Sequence, residues 1–147
     1  MPVDTGLNKD GMIYQRDQYA KGGIGVSYWD YRDNTAFHHV IGNDILDAGC
    51  GEGITLEKLV KFFPKARVVG IDTEPENLEI CQKHGLPVQE GSLYELPFAD
   101  ASFDTVLFSE VIEHLGRLCQ KLGVYYGLGD VLLLFSLMIS CSKFHAS

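Results

Sequence analysis

The stretch Ile45-Leu46-Asp47-Ala48-Gly49-Cys50-Gly51-Glu52-Gly53, with the run Ile54 to Phe63 behind it, decides the fold. Ile45 to Ala48 is a short apolar strand entered through the Gly42-Asn43-Asp44 turn. Leu56, Leu59, Val60 and Phe63 then recur at helical spacing until Pro64 stops the run. A glycine-rich turn therefore joins a strand to a helix. The same alternation continues outward. Arg67 to Asp72 reads as a second strand, and a second helix follows, with Thr73 as its cap, Pro75 in its first turn, Glu76 at capping-box spacing and Gly85 as its stop. Val88 to Gly91 is a brief third strand, a loop runs through Leu96-Pro97-Phe98, Thr105 to Phe108 is a fourth strand, and Glu110 to Leu115 begins another helix. Strands separated by helices of this length predict parallel βαβ units and an α/β fold.

Upstream, residues 1 to about 40 are polar and aromatic, with Tyr14, Tyr19, Tyr28, Trp29, Tyr31 and Phe37. Gly22, Gly23 and Gly25 divide them into a short helix, a loop and a helix near Tyr28 to Val40. The aromatic rings either cover a ligand site and recognise its substrate or pack on the sheet. The chain of 147 residues fits one domain, and 46% hydrophobic content is ordinary for a globular core. A net charge of −8 argues against a general nucleic-acid binder, which needs a basic footprint on phosphates. Cys50, Cys81, Cys119 and Cys141 form no CxxC pair and read as reduced thiols; with no signal peptide visible after Met1, the expected address is the cytoplasm.

Open parallel sheets bind ligands at the carboxyl ends of their strands, which places a nucleotide-like ligand at the Asp47 to Gly53 loop. Glycines there allow tight turns and close approach of the backbone to the ligand. One helix and one strand further on, Asp72 ends the second strand, where a carboxylate accepts hydrogen bonds from both hydroxyls of a ribose. Its other reading, a cap for the next helix, is already supplied by Thr73.

Asp47 to Gly53 matches the D-x-G-x-G-x-G signature of the class I S-adenosylmethionine-dependent methyltransferases. Leu96-Pro97-Phe98-Ala99-Asp100-Ala101-Ser102-Phe103-Asp104 resembles the LPF-x-D-x-SFD loop of their small-molecule branch, and Phe108 to Leu115 resembles the segment after their fourth strand. The three matches come in the family's order and cover about half the chain. The resemblance implies a Rossmann-like, doubly wound parallel sheet and S-adenosyl-L-methionine as cofactor. Asp47, Gly49, Gly51 and Gly53 would surround its methionine part, Asp72 would hold the ribose, and Ser92 and Leu93 would lie beside the adenine. Ser109 and Glu110 would form the floor near the methyl group. A dinucleotide fingerprint, by contrast, needs a third glycine where Ile54 stands, and Asp47 would repel a pyrophosphate.

Three other constellations carry less. Glu110-Val111-Ile112-Glu113-His114 lacks the first histidine of a metalloprotease helix, and no metal is expected. His38-His39 reads as a helix surface pair, and His114 as a plain helix residue. Methyl transfer from a sulfonium is an in-line displacement with a neutral leaving group, so alignment supplies much of the rate and no catalytic residue is named.

After Leu115 the family's pattern is lost, and the chain continues with the apolar run Val131 to Ile139. The expected organisation is a lid segment at 1–41, a cofactor-binding core at 42–115 and an atypical tail at 116–147, with the sheet incomplete on its C-terminal side. The tail is read as a buried helix or strand over a sheet edge ahead of a membrane segment at 122–141, because about 20 apolar residues are needed to span a bilayer. A fourth strand with an unpaired edge would favour self-association, low stability and little turnover. The function expected is methyl transfer to a small-molecule acceptor. Its rival is a truncated, non-catalytic cofactor-binding or membrane-associated interaction protein.

Overall fold

A computed structural model describes residues 6–99, 101–109 and 136–140. Helices α1 (Gln15–Lys21) and α2 (Ile24–Phe37) precede the sheet. Then β1 (Asp44–Ala48), α3 (Ile54–Phe62), β2 (Arg67–Asp72), α4 (Pro75–Lys83), β3 (Val88–Glu90) and β4 (Thr105–Ser109) alternate as the apolar periodicity predicts, and β5 (Ser136–Ser140) follows. The sheet order is β3-β2-β1-β4-β5. The first four strands are parallel, with Ala48 level with Ile71 on one side and Phe108 on the other. The α/β, Rossmann-like reading therefore holds.

The strand β1 alternates its residues between two cores. Ile45 faces Leu56, Leu59, Val68 and Leu107, a layer roofed by Ala36 and Phe37 of α2. Leu46 and Ala48 face Ile71, Phe103, Val106 and Phe108, with Leu93, Leu96 and Phe98 packed against them. The LPF segment is thus a cover for one face of the sheet, with the Phe98 and Phe103 rings edge-on at 4.8 Å. Burying each large aliphatic side chain is worth roughly 1.5–3 kcal/mol, and Ile45, Leu46, Leu56, Leu59 and Ile71 are all fully buried.

Three expectations change. The α2 helix begins at Ile24, so only Gly22 and Gly23 break the chain; both have positive φ, and Gly25 lies inside the first turn. Thr73 does not cap α4: Glu74 holds the N-cap position, and the carboxylate of Asp72 accepts its N–H at 2.8 Å. The stop at Gly85 does hold, at φ +67, with Gly85 N–H donating to Gln82 and Leu86 N–H to Cys81. The fourth strand is not left with an open edge. Strand β5 pairs with it antiparallel, from Thr105↔Ser140 to Ser109↔Ser136, so the part of the apolar tail that is described joins the sheet. The edge strand on that side is therefore β5 rather than β4. The helix expected from Glu110, and 122–135 with Cys141 of the candidate membrane segment, lie outside the described residues. Among the described residues no helix is long and apolar enough to cross a membrane.

Candidate cofactor site at the carboxyl ends of the strands

The parallel register of β1 and β2 sets the glycine loop beside the end of β2. Gly49 and Cys50 both donate their N–H to the carbonyl of Ile71 at 2.9 Å, and Gly51 N–H donates to Asp72 Oδ2 at 2.9 Å. Gly49, Gly51 and Gly53 have φ of +75, +55 and +83, the left-handed region that glycine enters without steric cost. The two inner positions differ in what surrounds them. A Cβ on Gly53 would stand 2.6 Å from Leu86 Cδ1 and 2.8 Å from Cys81 Sγ, so this glycine is required by packing. A Cβ on Gly51 would meet only Gln15 Oε1, at 3.4 Å, across the cleft.

Asp72 holds the local structure together with both carboxylate oxygens. Its Oδ2 takes Gly51 N–H, while its Oδ1 takes Glu74 N–H and, at 3.4 Å, the Asn77 amide. One carboxylate thus ties the glycine loop to the start of α4. Asp47 is fully buried at the middle of the sheet end. Beneath the loop lie two buried thiols, with Cys81 Sγ 3.3 Å from the Gly51 carbonyl. The hydrogen bond with Cys81, burial and the charge of Asp47 push the Cys50 thiol far above its ordinary range, whereas Cys81 is lowered, chiefly by that same bond.

Gly91 N–H donates to the Asp72 carbonyl at 3.1 Å, which brings Ser92 and Leu93 alongside. Ser92 Oγ accepts Tyr94 N–H at 3.1 Å, and Leu93 packs against the second core. Glu110 and His114 lie outside the described residues, and Ser109 is described only as the end of β4.

Apart from Tyr14, the residues that the sequence did not single out come from the N-terminal segment and its anchors. Glu52, 4% exposed, accepts Gln15 N–H at 3.0 Å and Arg16 N–H at 2.8 Å. Arg16 returns its Nε to the Glu52 carbonyl at 2.8 Å and pairs with Glu57 at 2.9 Å. Before α1, a turn closed by the Leu7↔Ile13 bridge leans on α4. Lys9 Nζ pairs with Glu74, Lys9 N–H reaches Glu76 at 3.3 Å, and the Tyr14 hydroxyl donates to Glu76 at 2.5 Å. These contacts enclose a cleft of about 870 Å³ bordered by Asn8, Lys9, Gln15, Gly51, Glu76 and Asn77. Tyr19 and Trp29 lie elsewhere: they stack on each other at 6.1 Å, and Lys58 sits 4.9 Å above the Tyr19 ring. An acidic residue between two loop glycines was the signal for Glu52, but nothing in the sequence indicated its partners.

The family model described as a methyltransferase domain matches residues 46–122, just over half of the chain, and runs past Leu115 where the motif reading ended. The chain is 34% identical to a probable S-adenosylmethionine-dependent methyltransferase of Mycolicibacterium smegmatis, over 60% of this chain and 36% of that protein. It is 39% identical to the ubiquinone biosynthesis O-methyltransferase of Methylocella silvestris, over 57% of this chain and 34% of that protein. It therefore spans about a third of the length of these curated relatives. Among solved structures, magnesium protoporphyrin IX methyltransferase from Synechocystis, with bound SAH, superposes with a TM-score of 0.51 at 22% identity, covering 67% of this chain and 52% of that one. With the parallel sheet, the glycine loop and Asp72 in place, the match over 46–122 shows that the chain belongs to the class I S-adenosylmethionine-dependent methyltransferase family.

Proposed function

We propose that this chain binds S-adenosyl-L-methionine at the glycine loop and contributes that site to methyl transfer onto a small-molecule acceptor. The observation that carries the reading is the cross-tie of the loop to Asp72, with three positive-φ glycines on one side and an acidic cleft on the other. Gly51 offers its bare backbone to the cleft, and Asp72 keeps acceptor capacity beyond its three bonds, since a carboxylate offers about four lone-pair sites. The residues present fit the cofactor: Gly49, Gly51 and Gly53 would line its methionine part, Asp72 its ribose, Ser92 and Leu93 its adenine. Asp47 and the acidic cleft walls suit a ligand carrying an ammonium and a sulfonium. Bound there, the sulfonium supplies an activated methyl group.

What the chain itself contributes is alignment and exclusion of water. The loop is held by bonds to both Ile71 and Asp72, so the ligand meets a backbone that is already organised. The turn at Leu7 to Ile13 and helix α1 close the cleft from outside and act as the lid. The acceptor is proposed to present an oxygen, because the Methylocella relative is named an O-methyltransferase. Titration calorimetry with S-adenosylhomocysteine tests the reading, with NADH as control. Saturable heat for the first and none for the second is the expected result; the reverse pattern would turn the assignment to a dinucleotide.

A further inference from the structure

The glycine loop and helix α4 bring the two buried thiols to one point. Cys81 Sγ stands 3.3 Å from the Gly51 carbonyl oxygen, and Cys50 Sγ stands 3.9 Å from the same atom. Two glycines make room for the sulfurs. A Cβ on Gly53 would come within 2.8 Å of Cys81 Sγ, and one on Gly70 within 3.0 Å of Cys50 Sγ. A cation completes the group. Arg16 is anchored through Nε to the Glu52 carbonyl and through Nη1 to Glu57. Its Nη2 lies 3.5 Å from that same Gly53 Cβ position, so Cys81 has both a second thiol and a guanidinium beside it.

A thiol buried among apolar side chains is inert, whereas one beside a guanidinium ionises more readily and attacks as the thiolate. The hydrogen bond with Cys50, then the charge of Arg16, hold the Cys81 thiol below its ordinary range against the cost of burial. We propose that Cys50 and Cys81 form an oxidation site, a dithiol that hydrogen peroxide converts to a disulfide, with Cys81 as the attacking sulfur and Arg16 as its positioning residue. The Cys81 thiolate displaces hydroxide from peroxide and becomes a sulfenic acid. The Cys50 thiol then attacks that sulfur: the S–S bond forms, the S–O bond breaks and water leaves. The proton given up by Cys81 joins the hydroxide as a second water, so the thiols are oxidised by the electron pair that peroxide takes up. Burial keeps out bulky oxidants, whereas peroxide is little larger than water. The disulfide removes the S–H that Cys81 offers to the Gly51 carbonyl, on the residue whose N–H Asp72 holds. Oxidation thereby loosens the loop where the cofactor binds, a consequence that rests on the cofactor reading above.

In the test, the full chain is reduced, treated with hydrogen peroxide, alkylated and digested, and its peptides are mapped by mass spectrometry. The expected product is the Cys50 peptide linked to the Cys81 peptide, separated again by dithiothreitol. Recovery of both cysteines fully alkylated, or a disulfide from either to Cys119 or Cys141, would overturn the pair. Cys50→Ser should stop at a Cys81 sulfenic acid that dimedone traps; a Cys81 that dimedone leaves unmodified is not the attacking sulfur. Arg16→Ala should slow the oxidation and move its rate profile to higher pH, with Arg16→Lys recovering most of the rate. Equal rates at every pH in these variants and the parent would remove Arg16 from the site. Calorimetry should show oxidation weakening S-adenosylhomocysteine about three- to tenfold, the scale of one neutral hydrogen bond, with dithiothreitol restoring it. A disulfide that leaves this affinity unchanged would refute its effect on the loop. A reduced parent that binds no S-adenosylhomocysteine would sink the cofactor reading instead, and the peptide map would still decide the thiol pair.

Discussion

The strand–helix core and the N-terminal segment are attached by different physics. Between Asp44 and Glu90 the structure rests on apolar burial, with Ile45, Leu46, Leu56, Leu59 and Ile71 removed from solvent altogether. Helix α1 buries nothing, and α2 contributes only Ala36 and Phe37 to the apolar core. The N-terminal segment is held instead by charges and hydrogen bonds. Asp33 is fully buried; Arg32 donates to its Oδ1 at 3.0 and 2.9 Å, while Thr55 and Lys58 donate to its Oδ2 at 3.1 and 2.8 Å. Lys58 also reaches Asp30, which accepts the Tyr19 hydroxyl. A core made by burial depends little on pH; a segment held by charge responds to pH and to loss of a single partner.

The largest expected effect breaks that charged attachment. Asp33→Ala leaves Arg32 and Lys58 without their shared carboxylate, and removing one partner of a buried ion pair costs about 3–5 kcal/mol. Chemical denaturation should show this loss; a midpoint unchanged from the parent would mean that α2 is held by its apolar residues after all. Next comes a contrast within the loop. Gly53→Val must both adopt φ +83 and displace Leu86 and Cys81, a cost of about 3 kcal/mol from backbone strain and overpacking together. Gly51→Val carries a similar backbone strain at φ +55 but meets only Gln15, so it should lose cofactor binding while destabilising the fold less than Gly53→Val does. Two variants of equal stability would erase the distinction.

Asp72→Ala should weaken S-adenosylhomocysteine by about 2–3 kcal/mol, as expected for charge-assisted hydrogen bonds, and calorimetry checks it. Loss of the tie to Gly51 and Glu74 adds loop disorder to the lost acceptors, so the binding entropy should become less favourable.

The smallest effect is on the turn over the cleft. The Tyr14 hydroxyl, then the Lys9 N–H, hold Glu76 below its ordinary range, and Glu74 raises Lys9. Glu76 therefore contributes fully above about pH 4.3, and its contribution is lost as the pH falls through its lowered folded value. Lys9 contributes fully below about pH 10.4 and is lost as the pH rises through its raised folded value. Amide exchange across residues 7–14, corrected for its intrinsic pH dependence, should be slowest between these limits. Exchange that is flat across both would show that these pairs do not hold the turn.

The same contrast explains what could be read in advance. Val68, Ile71, Leu56 and Leu59 announced their elements by spacing, because burial on one face imposes a period on the chain. Asp47, the loop glycines and Asp72 stood out because a tight backbone approach to a ligand needs glycine beside a strand end. Glu52, Gln15 and Arg16 did not, since 36 or 37 residues separate the partners and hydrogen bonds of that range leave no period. The same holds for the Asp33 network. The β5 pairing was legible only as an apolar run needing cover, with no indication of its direction.

Hydrogen–deuterium exchange with and without S-adenosylhomocysteine tests the central claim most directly, because it reports where the ligand acts. The account predicts slowed exchange in peptides spanning Asp47 to Gly53, Asp72 to Glu74 and Gln15 to Gln18, with the α2 segment around Arg32 to Phe37 unchanged. Saturable binding that leaves the Asp47 to Gly53 peptide unprotected would contradict it.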